Sequence, residues 1–138
     1  MAGSIVDALE VDLLKLLTAQ ATSIFTSTAF ANLYVALMTT ASTDATAGTE
    51  VTGGSYARVD SKTKWGAPTG TTPSTVSNNA TITFPTATVS WGTVTHFELN
   101  TALTAGTRLA WADLGTSKAV GVGDTPSFAA AALTITAD

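Results

Sequence analysis

Leu33-Tyr34-Val35-Ala36-Leu37-Met38-Thr39-Thr40, followed after a small polar loop by Gly48-Thr49-Glu50-Val51-Thr52-Gly53-Gly54-Ser55-Tyr56-Ala57-Arg58-Val59, is the stretch that decides how this chain reads. Leu33, Val35 and Leu37 alternate with Tyr34, Ala36 and Met38, the period-two pattern that sends every second side chain to one face of a sheet. The Gly53-Gly54 pair admits the positive φ that a β-branched residue resists, so the chain can reverse there and begin a second strand. Read locally, the stretch is scaffold and holds no group suited to catalysis.

Working outward, residues 33–138 read as one β body of about seven short strands, at 33–39, 55–65, 80–84, 93–99, 108–112, 117–122 and 131–136. Turn material rich in Thr, Ser, Gly, Pro and Asn separates them, chiefly over 41–49 and 67–79. The fold class expected is mainly β, an antiparallel, jelly-roll-like β-sandwich with one N-terminal α-helix. Tyr34, Trp65, Phe84, Trp91, Phe97 and Trp111 are spread evenly enough to share one core. No repeat of 20 to 50 residues is visible, which excludes solenoids and propellers.

Residues 1–20 read differently. Ile5, Leu9, Leu13, Leu16 and Leu17 recur at helical spacing, and Ser4 with Asp7 forms a start signal in which a hydroxyl and a carboxylate meet free amides. Asp7, Glu10 and Asp12 near the start and Lys15 near the end suit the helix dipole. A helix of about 15 residues is marginal alone in water, so this one must dock. Its own sheets, a second copy or the surface of another protein could each seat it. Residues 21–32 form a connector that Ile24, Phe25 and Phe30 can anchor.

Only 12% of the 138 residues are charged, the net charge is −4, and there is no cysteine. Typical soluble domains carry roughly 25% charge, so little keeps this surface apart from its neighbours. The mean hydropathy of +0.30 comes from scattered Ala, Val and Leu, and no apolar run approaches the roughly 20 residues needed to span a bilayer. The acidic balance, with a pI near 4.6, argues against direct contact with nucleic acid, which calls for clustered Lys and Arg. Absent cysteines fit assembly in a reducing cytoplasm, and the first residues lack the pattern of a secretory signal.

Candidate chemistry is sparse. His96 is the only histidine; Glu98, two residues on, is its expected partner, and a zinc site would normally need more histidines. Gly121-Val122-Gly123-Asp124 lacks the Lys-Ser/Thr ending of a phosphate loop and reads as a hairpin turn. Trp111, in phase with Leu109, reads as core; Trp65 beside the 67–79 loop is the best candidate of the three for an exposed aromatic, but burial in the core or a subunit interface is the favoured reading even there. Arg58 and Arg108 suit bidentate contacts, Arg58 either with Glu50 across the turn or with a neighbouring subunit. No catalytic, metal or cofactor site is expected; the interface candidates are Ile5, Leu9, Leu13, Leu16, Leu17, Arg58, Arg108 and Trp65.

The quoted stretch also resembles a group of small tailed-bacteriophage virion proteins described as head decoration, capsid fibre or tail fibre proteins. Its "LYVAL" strand and "GTEV-GGSYAR" segment match Leu33 to Thr40 and Gly48 to Arg58. Ile82-Thr83-Phe84-Pro85, Trp91 to Phe97, Leu109-Ala110-Trp111 and the segment from Phe128 to Ile135 follow in the same order. The resemblance implies a non-enzymatic virion protein. The first expectation is a decoration or cement protein on the outer capsid surface, bound to the major capsid protein as a homotrimer. The alternative is a tail fibre or baseplate component that contacts the host.

Overall fold

The computed structural model describes residues 4–6, 18, 30–70 and 73–137. The elements are β1 (Ser4–Ile5), β2 (Tyr34–Met38), β3 (Val59–Asp60), β4 (Ser74–Ser77), β5 (Ile82–Thr83), β6 (Gly92–Asn100), β7 (Arg108–Val120), β8 (Ser127–Phe128) and β9 (Thr134–Ala137). A five-stranded sheet runs in the order β1-β7-β6-β2-β3, accompanied by two-stranded sheets β4-β9 and β5-β8. Every pairing is antiparallel. The chain is therefore mainly β, and no helix occurs among the described residues.

The alternation in 33–38 works as expected. Leu37, Phe97 and Ala112 form one cross-strand row and Val35, Leu99 and Ala110 the next, all buried on one face. Against that face lie Ile82 and Phe84 from the β5 region, Phe128 of β8, and Leu133 and Ile135 around β9, all in one hydrophobic cluster. Fully burying such side chains is worth about 1.5–3 kcal/mol each. Aromatic contacts thread the cluster: Tyr56 stacks on Phe84 at 6.2 Å and meets Trp91 edge-on at 5.3 Å, and Phe84 meets Phe128 edge-on at 6.1 Å.

The opposite face carries the rows Ala36-Glu98-Trp111 and Met38-His96-Asp113. Trp111 is here, which corrects its expected place in the core. The reason is a register shift between Leu99 and Asn100: Leu99 pairs with Ala110 while Asn100 pairs with Arg108. The extra residue, Leu109, lets Leu109 and Ala110 both be buried and throws the following side chains onto the other face. A second irregularity lies farther along β7, where Val94 pairs with Lys118 but His96 with Asp113. The two expected strands 108–112 and 117–122 are thus one strand with a bulged middle.

The expected helix start at Ser4 is also corrected. Ser4 and Ile5 form β1, opposite Trp111 and Ala110, and Val6 N–H donates to the Leu109 carbonyl at 3.3 Å. Val6 is buried, with 3% exposed. Edge pairing satisfies these backbone groups, and Ser-x-x-Asp spacing alone does not outweigh it. Leu9, Leu13, Leu16 and Leu17, with the rest of the expected helix apart from Thr18, lie outside the described residues.

At Gly53-Gly54 the chain reverses, with φ of 72° and 56° followed by Ser55 at 64°. Tyr56 N–H closes the turn on the Gly53 carbonyl at 2.9 Å. The positive φ at Ser55 and a turn at 61–64 leave only Val59–Asp60 of the expected strand 55–65 in the sheet. Gly54 is additionally crowded: a Cβ there would come within 2.4 Å of Val89 Cγ2 and 2.9 Å of Trp91 Nε1. A Gly54→Ala variant is expected to lose about 2–3 kcal/mol through strain and overpacking, read as a lower denaturant midpoint with an unchanged slope.

Candidate functional site

The polar side chains that sequence singled out converge on loops beside the five-stranded sheet. After β2 the chain folds back along the same strand: Thr39 N–H bonds Thr49 O at 2.8 Å, and Val51 N–H bonds Leu37 O at 2.9 Å. This return places Glu50 opposite Met38 and within reach of Arg58. Arg58 Nε and Nη2 donate to Glu50 Oε1 and Oε2 at 2.8 and 2.7 Å. Its Nη1 donates to the carbonyls of Ala102 at 2.9 Å and Ala105 at 2.8 Å, in the turn between β6 and β7. Within the chain, Arg58 thus meets Glu50 across the turn, the first of the two contacts expected for it.

Tyr56 completes this clamp. Its hydroxyl accepts from Leu37 N–H and donates to Glu50 Oε1, both at 2.9 Å. Burial, with the Glu50 charge adding to it, drives the phenol far above its ordinary value, so it stays neutral. Between segment 50–58 and the 101–107 turn lies an open groove of about 400 Å³, lined by Glu50, Tyr56, Arg58 and Leu103 among others. Glu50, Tyr56 and Arg58 are already paired with one another and hold the turn.

The Tyr56 shift has a consequence at high pH. A raised folded-state pKa contributes stability that is complete below the unfolded value near 10 and is lost as pH rises above it. Melts between pH 8 and 11 should show an alkaline fall in Tm for the natural chain. Tyr56→Phe should be about 1–2 kcal/mol less stable at pH 8, with a flatter alkaline limb.

A second arginine pins the other loop. Arg108 Nη1 and Nη2 donate to the carbonyls of Thr43 at 2.5 Å and Asp44 at 2.8 Å, and Nη1 lies 3.7 Å from Glu98 Oε1. Ser42 Oγ donates to the same Glu98 oxygen at 2.6 Å and accepts from Gly48 N–H at 3.0 Å. Trp111 Nε1 donates to Asp44 Oδ1 at 2.8 Å. Glu98 is 3% exposed, a buried carboxylate that requires such partners.

Glu98 is therefore not the partner of His96. Residues two apart on a strand share a face but lie nearly 7 Å apart, whereas directly opposed residues have Cβ atoms about 5 Å apart. His96 is opposed by Asp113, and its Nε2 lies 3.6 Å from Asp113 Oδ2. Nδ1 sits 2.8 Å from Thr95 Oγ1, and the ring lies 6.0 Å from Trp111. Trp65 is half-buried: Nε1 donates to Ser61 Oγ at 3.1 Å, and its ring stacks with Phe97 at 6.5 Å. Among the described residues no three acidic, His or Cys side chains gather as a metal site.

Sequence reasoning missed two buried polar hubs, Ser42 and Asn78. Asn78 Nδ2 donates to the carbonyls of Ala80 at 2.9 Å and Ala129 at 2.8 Å, and Oδ1 accepts from Leu133 N–H at 2.8 Å. It ties the β4 end to the approach of β9. Burial of an Asn just after Val76 is a period-two signal, obscured because 67–79 reads as a loop and in fact contains β4.

Compared with protein families, residues 4–136 match the model of podophage GP4 fiber I protein gp80. The chain belongs to this family. The gp80 match takes in both clamps, Asn78 and β1, so it describes the whole β body and not one motif. Membership makes the chain a small phage virion structural protein. No curated protein matches it.

Proposed function

We propose that the chain is a noncatalytic subunit of a virion fibre, built as a sandwich-like β body and joined to its neighbours through surfaces. The observation that carries this reading is the gp80 family match over residues 4–136. The internal use of Arg58, Glu50, Tyr56, Arg108 and Glu98 supports it, because the groups best suited to chemistry hold loops in place. The sequence ranks capsid decoration first; the family description favours the fibre, which stood second.

Decoration of the outer capsid surface through the major capsid protein is the second reading, supported by the low charge of the chain. In either setting a homotrimer would gain from binding several equivalent surfaces at once. Copy number in purified particles decides between them. A fibre subunit is expected in a few to a few dozen copies, whereas a cement protein approaches the major capsid protein in abundance. Absence from purified particles would overturn both.

A further inference from the structure

We propose that in the assembled state β1 of one copy pairs with β7 of a neighbouring copy, so that subunits are joined by strand exchange. The inference deepens the reading of the chain as a repeated structural subunit and rests on it. The occupant of the β7 edge is thus the Ser4–Val6 segment of a second copy of this chain.

Three observations carry it. Among the described residues β1 comprises Ser4–Ile5 at the outer end of the sheet, Val6 beside it is buried, and β1 also touches β9. Every copy carries the same segment and the same seat, Ser4-Ile5-Val6 against Leu109-Ala110-Trp111, so the contacts formed are the same whether the segment is a copy's own or its neighbour's. The third is length. Within the sheet, β1 and β2 are separated by β7 and β6, three strand spacings or about 14 Å. The intervening residues 7–33 could reach about 90 Å at full extension, roughly 3.3 Å per residue. A link this long permits the identical pairing within or between chains, and crowding subunits into a fibre raises the effective concentration of the neighbour's segment. A β7 edge left without β1 offers free backbone groups that the same segment of another copy satisfies.

The absence of cysteine makes the test clean. Val6 N–H bonds Leu109 O, so the adjacent Ile5 and Ala110 form a non-hydrogen-bonded pair, whose close Cα spacing suits a disulfide. Full-length chains carrying Ile5→Cys and differently tagged chains carrying Ala110→Cys are assembled together and oxidised. A disulfide joining the two tags is expected, and the double variant should give covalent oligomers on a non-reducing gel. A persistent oligomer that yields only internally bridged monomers would overturn the exchange while leaving the fibre reading intact. Separately, removing residues 1–6 from the unsubstituted chain should abolish the oligomer. An oligomer unchanged by that deletion, or a natural chain that stays monomeric at micromolar concentration, would also overturn the exchange; particle copy number judges the fibre reading independently.

Discussion

Asn78→Asp is expected to lower stability at neutral pH by about 4 kcal/mol, a fall in Tm on the order of 10 °C or more. The side chain is 2% exposed and gives two hydrogen bonds through Nδ2 while receiving one at Oδ1. A carboxylate of the same shape keeps only the last. It would turn an oxygen toward the carbonyls of Ala80 and Ala129 with nothing to donate. Protonation restores one donor, so the deficit should shrink in acid and grow as pH rises through the carboxyl's titration. Melts of the natural chain and the variant from pH 3 to 8 measure this. A deficit that is constant over the range would mean that the carboxylate reaches water and that Asn78 is not the sealed hub described.

The second large effect is expected at Arg58. Arg58→Met keeps much of the aliphatic stem but leaves two carbonyls without their donor and Glu50 with only the Tyr56 hydroxyl, and should cost about 3 kcal/mol. The guanidinium side chain is 10% exposed and the Glu50 side chain 26%, so solvent can rescue Glu50 more readily than it could a sealed ion. That places the expectation at the lower end for broken buried pairs. Backbone hydrogen exchange should localise the damage, with protection falling most in residues 101–107 while β6 stays protected. A uniform loss would show that Arg58 acts on the whole body and not on one turn. Charge removal alone can be separated by Glu50→Gln, which retains an acceptor and should lose less.

These two residues mark how far sequence carries. Arg58 was legible because the Gly53-Gly54 reversal brings position 50 near 58, a local event with few alternatives. The rows built on Val35, Leu37, Phe97 and Leu99 were legible for the same reason, since period-two burial is imposed by the strand itself. Trp111 was not. Its face depends on one extra residue at Leu109, and nothing in the alternation of Leu109 with Trp111 records that insertion. Glu98 failed as a partner for His96 because its actual contacts lie in the 42–48 loop and at Arg108, separations that only the assembled sheet closes. At Ser4 a helix start and an edge strand are both compatible with the residues, and pairing with β7 settles it.

The family match and the internal hydrogen bonding point in one direction. A body with few charges has the greater need to satisfy each buried one, and here Arg58, Arg108, Glu50 and Glu98 are all matched inside a single chain. The groove beside Arg58 is accordingly a by-product of holding a turn, and Leu103 at its rim is 49% exposed.

Because guanidinium groups fasten both the 42–48 loop and the 101–107 turn to the sheet, the contours a neighbour meets are set before it arrives. Joining a particle then demands little further ordering of these segments, and the entropy usually surrendered at an interface made of loops has already been given up in folding. For these two segments the shape presented at an interface is the shape already fixed by folding, whatever strand the edge of the sheet accepts.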